Sequence, residues 1–282
     1  MLRMVSLAVF CFKMWRSSSK KLMNRFEGKV VIVTGAGSGI GAGTARRFLK
    51  EGAFVTLNGR RENKLQETIV GFDPGKSFVH PGDVSDEEYV KRLVEDTVAK
   101  FGKLDVLVNN AAFAIFGPFA QTTTQDWRKL MATDLDSVYF ACREALPHLL
   151  KTKGSIINLS SASGLGGDWG LSSYNAAKGA ITNFTRALAL EYGSLGVRIN
   201  AVAPSLTSTE ATADIEKSEA VMAAFLDRLP IGRAATPDDI AGVIAFLASE
   251  DAAFINGVIL PVDGGLHASN GQPNFLSLLG QG

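Results

Sequence analysis

The stretch SSYNAAKGA places Tyr174 and Lys178 four residues apart. On a helix that spacing sets both side chains on one face. Free tyrosine titrates near pH ~10 and is a weak acid–base at neutral pH. An ammonium one turn away favours the tyrosinate, which suits proton exchange with a carbonyl oxygen. Such a pair is common on surface helices, so its company matters. Thirteen residues upstream, NLSSASG places Ser161 just past an apolar run. Strand C-termini line the ligand crevice of a doubly wound sheet, and a hydroxyl there can hydrogen-bond a substrate oxygen.

Two further stretches concern an anionic partner. TGAGSGIG spans Thr34 to Gly41 and supplies Gly35, Gly37, Ser38, Gly39, Ile40 and Gly41. Glycines allow a tight turn and close approach of backbone to a pyrophosphate, and the N-terminus of the helix that follows offers free N–H groups and a favourable dipole. Directly after a strand, this pattern points to a dinucleotide. In VTLNGRRENK an apolar run ends and Arg60 and Arg61 follow Gly59. An NAD site in such a fold places an acid at the end of the second strand, whereas an NADP site places an arginine nearby. Spacing puts Gly59 at the acid position. With no carboxylate to repel a 2′-phosphate and guanidiniums to pair with it, NADP(H) is favoured and NAD(H) stays open.

The elements that must hold these residues are visible as alternating patterns. Strands are expected at 29–34, 54–58, 77–80, 105–110, 155–160, 198–203 and 258–262. Helical segments between them include 41–51, 86–101, 125–150 and 173–195. Val/Ile-rich strands apolar on both faces and separated by helices imply a parallel sheet covered on both sides. The expected fold is therefore a single-domain, doubly wound α/β unit with seven parallel strands and helices on both faces.

Composition agrees with one globular domain: 282 residues, 46% hydrophobic, 20% charged and a net charge of +1. That balance, without a basic stripe, argues against nucleic acid as a partner. Two cysteines, Cys11 and Cys142, make neither a disulfide framework nor a zinc site and favour a reducing, cytoplasmic compartment. Residues 1–25 hold six of the 29 basic side chains and none of the 28 acids, leaving −5 for the remainder. The apolar run 4–12 is far short of the ~20 residues of a membrane span. For this basic stretch over 1–25 the expectation is that the native start is Met23, where MNRFEGKVVIVTG begins a domain cleanly, so that residues 1–22 stand outside the fold; an organellar presequence and a peripheral membrane anchor are the other readings. The domain is expected over 26–265 and a Gly-rich tail over 266–282.

Taken in order, TGAGSGIG (34–41), GDV (82–84), NNAA (109–112), Ser161 with YNAAK (174–178), NAVAPS (200–205) and VDGG (262–265) resemble the short-chain dehydrogenase/reductase family, whose members share the Rossmann fold. The resemblance implies hydride transfer between a nicotinamide and a carbonyl or secondary alcohol carbon. It implies that Tyr174 is the acid–base, that Lys178 holds the cofactor ribose and tunes Tyr174, and that Ser161 polarises the carbonyl. It places Asp83 and Val84 at the adenine, Asn110 and Ala111 on the adenosine side, and Pro204, Thr207 and Thr209 around the nicotinamide. Where the family often has an asparagine in a proton relay, this chain has Asp134, which accepts hydrogen bonds but cannot donate as an amide does. A basic residue often precedes the second glycine in NADP binders of the family; here that position is Ser38.

LPHLLKTKG, SGLGGDWG and FING most resemble the small-diol branch of that family, acetoin reductases and meso-2,3-butanediol dehydrogenases. A small ketone or secondary alcohol is the substrate so implied, with Phe113 and Trp169 as candidate pocket walls and 206–226 as a candidate lid. The resemblance also implies a homotetramer or homodimer, with the tail around Gln272 reaching a neighbouring subunit. A 3-oxoacyl reductase and a sugar-alcohol dehydrogenase stay open as alternatives. So does a redox sensor that binds dinucleotide without turnover, although such a sensor has no need of Ser161, Tyr174 and Lys178 together.

Overall fold

The computed structural model describes residues 24–280. Seven parallel strands form one sheet: β1 (Val30–Val33), β2 (Phe54–Gly59), β3 (Ser77–Pro81), β4 (Val106–Asn109), β5 (Ser155–Leu159), β6 (Arg198–Pro204) and β7 (Ile259–Val262). Each lies within one residue of its expected bounds. The spatial order β3-β2-β1-β4-β5-β6-β7 reverses direction at β1. In such a sheet the crevice for a ligand opens beyond the carboxyl ends of the strands flanking the reversal, here β1 and β4.

Period-two alternation sends the side chains of each strand to two separate cores. Val31 and Val33 pack under α1 (Gly39–Lys50), beside Phe48, Ile240 and Ile244. Val30 and Ile32 face the other core, with Val90, Leu93, Ala141, Leu149 and Ile181. That second layer contains α3 (Glu87–Phe101), α5 (Ser137–Thr152) and α6 (Ser172–Tyr192). Burial on both faces explains why the strands read as continuous apolar runs rather than as alternating ones. α2 (Glu62–Ile69) follows the arginine pair, and α4 (Thr124–Met131) precedes α5. Short helices α7 (Ala213–Glu216) and α8 (Glu219–Asp227) lie in the segment expected as a lid, and α9 (Pro237–Ala248) covers α1. In the tail, α10 (Phe275–Leu278) is a single turn.

Residues 1–23, which include most of the basic N-terminal stretch and Cys11, lie outside the described residues. Arg25 is part of the fold: its guanidinium donates to Glu51 at 2.6 and 2.8 Å, and the same carboxylate accepts from Arg47. Phe26 stacks edge-on to Phe48 with centroids 4.7 Å apart. Among the described residues no helix is long and apolar enough to cross a membrane.

One expectation is corrected. The helix expected over 125–150 is two helices, α4 and α5, joined by a π-helical turn over Ala132–Asp136. A π turn inserts an extra residue into the ladder and re-aims the side chains it carries; such turns often occur at functional sites. Asp134 sits inside it and is fully buried.

Candidate active site

The glycine loop connects β1 to α1. Gly35 and Gly39 take left-handed φ values of +66° and +53°, which L side chains rarely adopt. A Cβ on Gly41 would lie 2.1 Å from the Gly35 carbonyl oxygen, so the loop cannot close with any side chain there. Ser38 caps α1 in extended conformation with no side-chain hydrogen bond to the first turn, and that turn carries no acid. The first N–H groups of α1 are thus left for an anion, which suits a pyrophosphate. The loop is braced from behind. Asn110 donates its amide to the Thr34 and Gly35 carbonyls at 2.8 and 3.2 Å, and Thr34 Oγ1 accepts from the N–H groups of Asn110 and Ala111 at 2.9 and 3.1 Å. The Asn110 side chain therefore shapes the loop.

The candidate acid–base set gathers beyond β5. Ser161 follows that strand and caps a 3-10 turn over Ala162–Gly164; its Oγ accepts from Ser163 N–H at 3.1 Å. Tyr174 lies in the first turn of α6, and Lys178 one turn further on is almost wholly buried, with its ammonium 5.4 Å from the Tyr174 ring centroid. Lys178 Nζ donates to the Leu159 carbonyl at 3.1 Å and lies 3.6 Å from Asp134 Oδ2. That separation is an ion pair longer than a hydrogen bond, and Oδ2 has no hydrogen-bond partner among the described residues. The other oxygen, Oδ1, accepts from Phe113 N–H at 3.0 Å. Burial pushes the Asp134 carboxyl above its ordinary value, while the charge of Lys178 and the Phe113 N–H pull the other way and only partly offset it.

Two residues that sequence reasoning passed over hold this set together. Asn175, inside YNAAK, donates to the Ser163 and Gly166 carbonyls at 2.7 and 2.9 Å, tying the start of α6 to the loop that carries Ser161. Gly164 lets the two approach: a Cβ there would stand 2.3 Å from Ser160 Oγ and 2.7 Å from the Lys178 carbonyl oxygen. The signal for Asn175 was its place within the Tyr–Lys spacing; Gly164 gave none.

At the adenosine end, Asn58 donates to the Gly82 carbonyl at 3.2 Å and to Tyr89 Oη at 2.9 Å, fastening β2 to the GDV stretch. Val84 is buried there, and Asp83 Oδ1 accepts from Ser85 N–H at 3.0 Å. Gly59 ends β2, where a Cβ would meet Leu65 Cδ2 at 3.2 Å. Arg60 is exposed and has no ion pair among the described residues. Arg61 is engaged: its Nη2 donates to Glu210 at 3.1 Å. Pro204 ends β6, Thr207 is buried and bridges to Ala235, and Thr209 caps the turn over Glu210–Thr212 beside Gly39.

The two candidate pocket walls differ. Phe113 is half-buried, with Lys129 Nζ 5.7 Å from its ring centroid, and its backbone is the donor to Asp134. Trp169 is 94% exposed and lines an open cleft with Asp168 and Asn175. Its loop is nonetheless tied down on both sides, by Gly117 N–H donating to the Gly170 carbonyl at 2.9 Å and by Asp168 N–H donating to Asn175 Oδ1 at 3.3 Å.

Comparison with known proteins identifies the family and agrees with the fold. The family profile described as enoyl-(acyl carrier protein) reductase matches residues 35–267. A meso-2,3-butanediol dehydrogenase from Serratia marcescens is 47% identical over 252 residues, covering 89% of this chain and 100% of that protein. An NADP-dependent (R)-specific alcohol dehydrogenase from Lentilactobacillus kefiri is 38% identical over 255 residues, 88% of this chain and 100% of that one. The crystal structure of a short-chain dehydrogenase/reductase described as a glucose/ribitol dehydrogenase, from Brucella melitensis, superposes with a TM-score of 0.82 at 32% identity, covering 86% of this chain and 98% of that chain. The chain belongs to the short-chain dehydrogenase/reductase family. It is an oxidoreductase acting on CH–OH and C=O groups.

Proposed function

We propose that the chain is an NADP(H)-preferring dehydrogenase that interconverts a small ketone and its secondary alcohol, a vicinal diol or hydroxyketone being the best-supported substrate class. The observation that carries the reading is the arrangement of Ser161, Tyr174, Lys178 and Asp134 around one buried ion pair at the carboxyl end of β5. The likeness to the Serratia meso-2,3-butanediol dehydrogenase supports the substrate class. Gly59 in the acid position, with Arg60 unpaired beside it, supports the cofactor preference.

The roles follow from which protons and lone pairs are free. Ser161 Oγ already accepts from Ser163 N–H, so its own proton is available to donate to a substrate oxygen. Tyr174 is the group that gives a proton to that oxygen in reduction and removes it in oxidation. Lys178 uses one N–H on the Leu159 carbonyl and is held by Asp134, which leaves donor capacity for a cofactor ribose and a positive charge beside the Tyr174 ring. A bound nicotinamide supplies or accepts the hydride. Asp134, accepting from Phe113 N–H, links the position of Lys178 to the wall at Phe113.

Turnover of a panel of hydroxyketones, simple ketones and diols with NADPH and NADH tests the reading, together with Tyr174→Phe. The variant should bind NADPH as the wild type does and lose turnover by about a thousandfold or more. Residual activity within tenfold of wild type would remove Tyr174 from its role.

A further inference from the structure

A carboxylate from the opposite rim of the site already pairs with one of the cations near Gly59 and approaches a second. Glu210 opens the 3-10 turn Glu210–Thr212, and its Oε2 accepts from Arg61 Nη2 at 3.1 Å, across 149 residues of sequence. Its Oε1 lies 3.7 Å from Lys64 Nζ, whose nearer partner is Glu67 Oε2 at 2.8 Å, so Arg61 is the cation that Glu210 chiefly holds. Lys64 in turn lies against the glycine loop, since a Cβ on Gly37 would meet Lys64 Cβ at 3.2 Å. Arg61 and Lys64 are therefore continuous with the loop on one side and with Arg60 on the other, in the zone that a 2′-phosphate takes in an NADP site of this fold.

The segment that carries Glu210 is held in place. Thr209 Cγ2 stands 3.0 Å from where Gly39 would carry a Cβ. Thr212 Oγ1 donates to the Thr207 carbonyl at 2.7 Å and accepts from Thr209 N–H at 3.0 Å, and Ser208 Oγ donates to Glu216 at 3.0 Å. Glu210 thus arrives at the cations on a self-bonded turn that touches the glycine loop.

We propose that Glu210 is an internal anion that competes with the cofactor's 2′-phosphate for Arg61 and Lys64, and so sets the balance between NADP(H) and NAD(H) from outside the β2 loop. This rests on the reading that the 2′-phosphate lies beside Arg60 and Arg61. With Glu210 in place, a cofactor bearing only a 2′-hydroxyl meets a neutralised pair. A 2′-phosphate must displace the carboxylate, and selectivity is the difference between the two outcomes.

Calorimetric titration of wild type and Glu210→Gln with 2′,5′-ADP and 5′-ADP, at low and high salt, tests the proposal without turnover. Glutamine keeps the size of the side chain and removes its charge. The variant should bind 2′,5′-ADP at least about threefold more tightly, with 5′-ADP unchanged and the gain shrinking at high salt. In an Arg61→Gln/Lys64→Gln background, Glu210→Gln should bring no further gain. Equal shifts for both nucleotides, or none for 2′,5′-ADP, overturn the competition. A wild-type preference for 5′-ADP whose ratio still moves in Glu210→Gln would refute the NADP preference and leave the competition standing.

Discussion

Lys178→Met isolates the buried ion pair, because methionine keeps much of the side-chain stem and removes the charge. At 3.6 Å and an effective dielectric of about 20, the attraction between Lys178 and Asp134 is about 4–5 kcal/mol. Without it, the Asp134 carboxyl, already raised by burial, either stays charged and unpaired or folds in its neutral form. Taking up a proton from an ordinary value near ~3.9 costs about 1.4 kcal/mol for each pH unit above it, so about 4 kcal/mol at pH 7 and about 1.5 kcal/mol at pH 5. A carboxyl whose folded value lies above its unfolded one keeps its full contribution at acid pH and loses it as the pH rises. The variant should therefore melt close to wild type near pH 4–5 and fall further behind toward neutrality. For a chain of this size the gap is about 8–16 °C at pH 7 and about 3–6 °C at pH 5. Thermal melts by circular dichroism between pH 5 and 8 read the gap directly. Lys178→Met/Asp134→Asn should lose its pH dependence, since the group responsible is gone. A gap of the same size at pH 5 and pH 7 would refute the reasoning and would mean that the two side chains are not a charged pair.

Arg60→Asp should raise KM for NADPH by about tenfold or more and leave KM for NADH unchanged or lower, because a charge-assisted contact is exchanged for a repulsion; steady-state kinetics with both cofactors decides it. Gly164→Ala should lower kcat by about a hundredfold while cofactor affinity stays within a few-fold. The added Cβ, 2.7 Å from the Lys178 carbonyl, forces the loop of Ser161 away from α6, and displacements near 1 Å cost about that much. Burial pushes the Cys142 thiol up to about 12, so iodoacetamide at pH 8 should alkylate it only after unfolding, as read by peptide mass spectrometry.

Most of the scaffold was legible because its signals are local. Strands buried on both faces must be apolar throughout, so β1 to β7 announce themselves as Val/Ile runs, and a glycine loop after the first of them has few other uses. The gathering of Ser161, Tyr174 and Lys178 follows as well, since two come from one helical turn and the third from a strand end that the parallel topology fixes. Helix propensity could not report the π turn at Ala132–Asp136. TDLDS carries no breaker, and the extra residue is held by tertiary bonds: the Phe113 N–H and the Lys178 ammonium converge on the one carboxylate that the turn delivers.

What stayed hidden in the sequence is of one kind: contacts between residues far apart whose meaning depends on charge and clearance. Gly164 matters through the atoms that α6 brings to it, and the exposure of Trp169 had no signal along the chain. Arg61 is the sharpest case. Read along the chain, it is one of two equal cations after β2, but in the fold it is already paired with Glu210 while Arg60 is not. On the proposed placement of the 2′-phosphate the two arginines differ: Arg60 has no ion pair among the described residues, whereas Arg61 must first leave Glu210. If Glu210 competes as proposed, cofactor choice is set from two facing rims, and substitutions confined to the β2 rim should move selectivity only part of the way.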